Sequence, residues 1–191
     1  MNIAVTTWSL EQTSPADARP AGEPPKDVRI ERAEIPSPEF SRFLYTAVGG
    51  DVRWTDRLTL TYAEWEKTLG APGTETWVAY EKGTPAGYAE IAAQEGGSVE
   101  IVYFGLIAAF RGRRIGGHLL SYAVERAWDL ADRWPGLAPT ERVWVHTCSK
   151  DGPHAMDNYL RRGFKLFDTA VEDEPEIDTP GPWPGAHPAS A

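Results

Sequence analysis

Residues 98–120 read SVEIVYFGLIAAFRGRRIGGHLL, and the two halves of this stretch follow different periods. In the first half Val99, Ile101 and Tyr103 alternate with Glu100, Val102 and Phe104, and the β-branched and aromatic content suits a pleated strand over residues 98–106. In the second half Leu119, Leu120, Ala123, Val124 and Ala127 recur at three- and four-residue steps, as one apolar helix face does. Between the two lie Arg111, Gly112, Arg113, Arg114, Ile115, Gly116 and Gly117, a loop that opens onto the helix N-terminus. The first N–H groups of a helix have no internal partner and carry the positive end of its dipole, so this loop has the makings of an anion site. Its glycines let a phosphate approach the backbone, and its arginines add full charges.

On the N-terminal side, residues 77–81, a turn at Lys82-Gly83-Thr84 and residues 86–93 read as a hairpin, and Gly96-Gly97 turns directly into the strand just described. Further back, Ser37-Pro38 is a helix start whose apolar stripe is Phe40, Phe43, Leu44 and Val48, ended by Gly49-Gly50. Thr61 and Glu64 match a capping box that opens a second helix bearing Trp65 and Leu69. The loop between these helices mixes charge with aromatic side chains at Trp54, Asp56 and Arg57, which reads as either solvated surface or the wall of a binding site. A short strand is expected over residues 3–8, followed by a connector with prolines at 15, 20, 24 and 25, then an edge strand over 28–33. C-terminal to the central stretch come a strand over 142–148, a helix over 153–162 and a last strand over 164–171. This order gives an α/β (α+β) fold. The expected division is an N-terminal strand and connector at 1–27, a single domain at 28–171, and an acidic, proline-rich tail at 172–191.

The chain of 191 residues is long enough for one substantial core and short for two domains. Its single cysteine, Cys148, excludes an internal disulfide framework and reads as a strand residue. The formal net charge of -9 argues against a nucleic-acid partner. Six of the acids, and no lysine or arginine, lie from Asp168 onward, so the body is nearly balanced. The sequence has no run of about 18 apolar residues, and its N-terminus lacks a basic start followed by an apolar run; no membrane association and a cytoplasmic location are expected. His118, His146 and His154 lack the carboxylate spacing of a metal motif, so no metal is expected.

The run from Arg111 to Gly116 resembles the Arg/Gln-x-x-Gly-x-Gly/Ala motif with which the GNAT superfamily of N-acetyltransferases binds acetyl-coenzyme A, with Arg114 where that family usually has glycine. The strand Glu100-Ile-Val-Tyr-Phe-Gly-Leu106 looks like the corresponding strand of the histone acetyltransferase branch, whose glutamate is the general base. A second match is Ala155, Tyr159 and Gly163-Phe164, similar to the pattern marking the helix beside the thioester; Gly152 takes the place of the asparagine that commonly opens it. The resemblance implies a mixed, mostly antiparallel sheet with a splayed central strand pair, flanked by helices. It implies acetyl-coenzyme A as co-substrate, held by Phe104, Gly105, Leu106, Ile107 and the Arg111, Gly112, Arg113, Arg114, Ile115, Gly116 and Gly117 loop.

An ammonium must lose a proton before it can attack, so a carboxylate within reach is required. Glu100 is the first choice and Glu90 the fallback, while Tyr159 would return a proton to the departing thiolate. A backbone N–H at Gly105-Leu106 would face the carbonyl oxygen, since a glycine inside a strand often marks a bulge or a close approach. Tyr45, Trp54, Asp56, Arg57, Glu90 and His146 are the candidate acceptor wall, with Asp56 for an ammonium and Arg57 for a carboxylate. The acceptor would then be a small amine or an amino-acid-like metabolite. The alternatives are a protein lysine or N-terminus, or a catalytically silent acyl-coenzyme A-binding module; a homodimer is left open.

Overall fold

The structure, a computed structural model, describes residues 2–176. Its strands are β1 (Asn2–Gln12), β2 (Val28–Arg32), β3 (Thr74–Glu81), β4 (Thr84–Gln94), β5 (Ser98–Leu106), β6 (Arg142–Cys148) and β7 (Lys165–Pro175). They form one sheet in the order β2-β3-β4-β5-β6-β1-β7, in which β5 and β6 are parallel and the other neighbours antiparallel. The helices are α1 (Pro38–Gly49), α2 (Tyr62–Leu69), α3 (Ile115–Trp128), α4 (Leu130–Arg133) and α5 (Ala155–Arg161).

Local chemistry sets the boundaries. The Ser37 side chain accepts the Phe40 N–H at the start of α1, and Thr61 and Glu64 cap α2 reciprocally. Lys82 and Gly83 both take positive φ, at 50° and 86°, which gives the tight turn joining β3 to β4 the twist a two-residue hairpin needs.

One face of the sheet is covered by α3, whose Ile115, Leu119, Leu120, Ala123, Val124 and Ala127 are buried against Ala79, Ala89, Ile91, Ile101, Val143 and Val145. The other face is covered over β3, β4 and β5 by α1 and α2, with Leu44 and Val48 packed on Val78 and Tyr88 and with Tyr45, Trp65 and Leu69 clustered beside them. Buried Glu75 joins three elements on the α3 side. Its carboxylate accepts hydrogen bonds from Arg133 of α4 and from the indoles of Trp77 and Trp134, and pairs with Arg32 of β2.

β5 departs from the unbroken alternation expected of it. Glu90 pairs with Tyr103 and Ile91 with Ile101, so Val102 is a bulge with no partner of its own on β4. The extra residue reverses the side-chain phase. Val99, Ile101 and Phe104 therefore share the α3 face, while Tyr103 joins the clusters under α1 and α2. The first strand also differs from expectation. It is 11 residues long and lies inside the sheet between β6 and β7, pairing with both. The last strand continues past residue 171 to Pro175, and the remainder of the expected tail, from residue 177, lies outside the described residues.

Candidate active site

The parallel ladder of β5 and β6 runs from the Ser98/Arg142 pair to the Ile101/Val145 pair and stops there, although β5 continues to Leu106 and β6 to Cys148. Beyond that pair no ladder joins the two strands, and their ends leave a gap in the sheet's pairing. At its far side Ile107 donates its N–H to the Ala86 carbonyl of β4. In an antiparallel ladder the N–H groups alternate in direction, so that of Leu106 turns away from β4 toward the gap. Gly105 marks a close approach of a neighbouring element. A Cβ there would lie 2.6 Å from Cγ1 of Val48, so the glycine lets α1 settle onto β5.

The helix start beside this gap keeps its amides available. Among the described residues no side chain caps the N-terminus of α3, and none lies within 4 Å of where a Cβ on Gly112, at φ 75°, would point. Arg114 holds the left-handed conformation, φ 63° and ψ 5°, so an arginine here has the backbone shape glycine adopts most readily. A Cβ on Gly116 would lie 3.5 Å from the Leu106 side chain and 3.9 Å from Asn158, which shows how closely α3, β5 and α5 converge.

The arginines are differently placed from one another. Arg111 folds back, bonding the Leu106 carbonyl and pairing with Asp51, and Arg113 pairs with Glu81 at 2.7 Å. Arg162 was missed by the sequence reading. Its Nε and Nη1 are buried without a hydrogen-bond partner among the described residues, and Nη1 would lie 3.8 Å from a Cβ on Gly117. An unpaired guanidinium beside a helix N-terminus is an anion-seeking arrangement that no local motif announces.

Tyr159 is 5% exposed on the α3 face, edge-on to Phe104 and Phe164. Burial raises its pKa well above that of an ordinary phenol, so it stays protonated and able to donate. Glu100 lies on the opposite face. Gln94 donates to its Oε2 at 2.7 Å, and Nδ1 of His146 lies 3.2 Å from its Oε1. The Glu100 side chain is 13% exposed and that of His146 47% exposed. The hydrogen bond to Glu100 holds the His146 pKa above 6.5 against the opposing effect of burial, with Asp151 and Asp56 adding to the rise.

The rest of the expected acceptor wall divides in two. Asp56 is exposed and accepts hydrogen bonds from the phenols of Tyr45 and Tyr103, with Trp54 packed against both rings. Arg57 and Glu90 instead form a buried bidentate pair, both bonds 2.7 Å, with the guanidinium over the rings of Tyr103 and Trp65. Glu90 is 1% exposed. The roles expected of these two, a carboxylate clamp and a fallback base, do not fit: each side chain is consumed by the other. They are separated by 33 positions, and only the fold reveals their pairing.

The acetyltransferase (GNAT) family model matches residues 33–164. The chain belongs to the GNAT acetyltransferase family. Among solved structures with the same fold are a GCN5-related N-acetyltransferase from Kribbella flavida, 20% identical, covering 87% of this chain and 56% of that one at a TM-score of 0.62. Another, from Sphaerobacter thermophilus, is 21% identical and covers 92% of this chain and 54% of that one at 0.61. An aminoglycoside acetyltransferase from an uncultured soil metagenomic sample is 15% identical and covers 70% of this chain and 86% of that one at 0.53. The GNAT chain described here thus spans little more than half the length of the first two. No curated protein matches the sequence.

Proposed function

We propose that this GNAT domain transfers an acetyl group from acetyl-coenzyme A to the primary amine of a small molecule, at the gap between β5 and β6. The observation that carries the reading is the ladder's end at Ile101/Val145, with a glycine-rich helix start at one side and ionisable groups on both faces. When bound, the coenzyme would supply the activated acetyl thioester. The fit rests on the uncapped start of α3, the open space at Gly112 and the orphaned nitrogens of Arg162, which together suit a phosphate-bearing molecule. Arg114 and Arg162 are the cations in best position to add charge there.

Around the gap the chain's own groups divide the work. The Leu106 N–H is available to an oxygen gaining negative charge. Proton removal from the amine falls to the Glu100–His146 pair, and Tyr159 is the proton donor for the leaving sulfur. Asp56 and Glu100 offer an acceptor negative charge, while Arg57 is spent on Glu90, so an ammonium without its own carboxylate suits this wall better than an amino acid. The aminoglycoside acetyltransferase among the similar structures supports a small-molecule acceptor. Among the described residues no helix is long and apolar enough to cross a membrane.

The test is thiol release from acetyl-coenzyme A with the acetylated product identified by mass. Spermidine, 2-phenylethylamine and glycinamide would be compared with free amino acids and lysine-rich peptides. Acetylation of the small amines in preference to peptides is expected; acetylation of peptides alone, or coenzyme binding with no transfer to any amine, contradicts the reading.

A further inference from the structure

Both carboxylate oxygens of Glu100 are engaged. Oε2 accepts from Gln94, whose own carbonyl oxygen accepts the indole N–H of Trp144 at 2.9 Å, and Oε1 faces Nδ1 of His146. The bulge at Val102 does not disturb this part of β5, where Glu100 still pairs in register with Trp144. His146 lies one residue beyond Val145, the last β6 residue paired to β5, and therefore stands at the mouth of the gap. Its ring lies 6.0 Å from that of Trp144, at an interplanar angle of 36°. With Nδ1 directed at the carboxylate and nearly half the side chain exposed, Nε2 is the end of the pair left for an incoming molecule.

From this we infer that His146 takes the proton from the acceptor's ammonium, and that Glu100 is a positioning residue which fixes the imidazole. This deepens the acetyltransfer reading and rests on it. The ammonium gives one proton to Nε2 of neutral His146, and the freed lone pair forms the N–C bond as the C–S bond of the acetyl thioester breaks. Tyr159 gives its phenolic proton to the departing sulfur, the nitrogen loses its second proton to solvent, and solvent returns one to the Tyr159 phenolate; amide and thiol are released, and His146 passes its proton to solvent. The carboxylate–imidazole pair thus stands to the amine as an orienting acid and its base commonly stand to a nucleophile. Charged groups approach His146 from several elements: Glu100 of β5, Asp56 of the loop between α1 and α2, and Asp151 after β6. From β1 it faces uncharged Ser9, with Asp168 of β7 paired on that residue's other side.

The pH dependence of kcat/KM, measured on the whole chain with acetyl-coenzyme A and the three small amines named above, separates His146 from Glu100. A base must be neutral to act, so activity should rise with pH through an acid limb lying above 6.5. His146→Gln should lose about 100-fold or more and flatten that limb; His146→Ala should regain part of the loss with added imidazole. Glu100→Gln should lose less and move the limb to lower pH, with the His146 ring titration followed by NMR moving the same way. If wild type acetylates these amines while His146→Gln keeps its rate and limb, the inference fails and the acetyltransfer reading stands. If wild type acetylates no amine at all, both fail.

Discussion

Arg114 occupies the left-handed region at φ 63°, where an L side chain crowds its own backbone at a cost of about 1 kcal/mol. Arg114→Gly should therefore be more stable than Arg114→Ala by about 1 kcal/mol in denaturant titrations, because both remove the charge and only glycine relieves the conformation. Equal stability would mean that the loop carries no such strain. Arg162 presents the opposite balance. Its unpartnered nitrogens weigh against folding, so Arg162→Met should leave the melting temperature unchanged or raise it, while weakening coenzyme A about tenfold at low salt and less at high salt. Calorimetry and thermal melts on one sample check both signs. Glu100 and Tyr159 can be nominated from the sequence because local patterns surround them. Arg162 adjoins one of those patterns, but an unsatisfied hydrogen bond is a property of the packed molecule. The Arg57–Glu90 pair was hidden for a related reason: two charges far apart in sequence each look exposed until the fold brings them together.

Among the elements, α4 is four residues long with no side-chain cap at its start among the described residues, and it depends on what Arg133 reaches. Burial alone would raise the Glu75 pKa, but Arg133, Trp134 and Trp77 more than offset this and hold it below 4.5. The sign follows from linkage: a depressed carboxyl contributes stability that is complete above its unfolded value and is lost as pH falls through the folded one. Glu75→Gln should cost about 3 kcal/mol at neutral pH, and its difference from wild type should narrow on acidification below about 4.5. Urea titrations at several pH values would show it; a pH-independent difference would contradict the account. Helix starts were legible here because Ser37, Thr61 and Glu64 act on their nearest neighbours. The bulge at Val102 was not, since the apolar alternation on either side continues as if unbroken. Nor was the length of β1, whose partners β6 and β7 lie more than 100 residues away.

For the molecule as a whole, the order of strands and helices was legible from the sequence, and the gap at which the site is proposed follows from that order. A hairpin meander feeds β5, the α3 crossover returns the chain to a parallel β6, and a parallel pair joined this way is free to part at one end. The unpaired ends of β5 and β6, the start of α3 and Tyr159 are thereby gathered from 4 separate elements. If this gap is where the coenzyme is held, ligand must slow exchange at its borders before anywhere else. Amide hydrogen exchange of the full chain with and without saturating coenzyme A is the most direct measurement. The account predicts added protection at residues 102–107, 112–118 and 146–148. Binding that instead protects residues beside Arg32 and Trp134, where a separate pocket lies between β2 and α1, would contradict it, as would binding that leaves the α3 start unprotected.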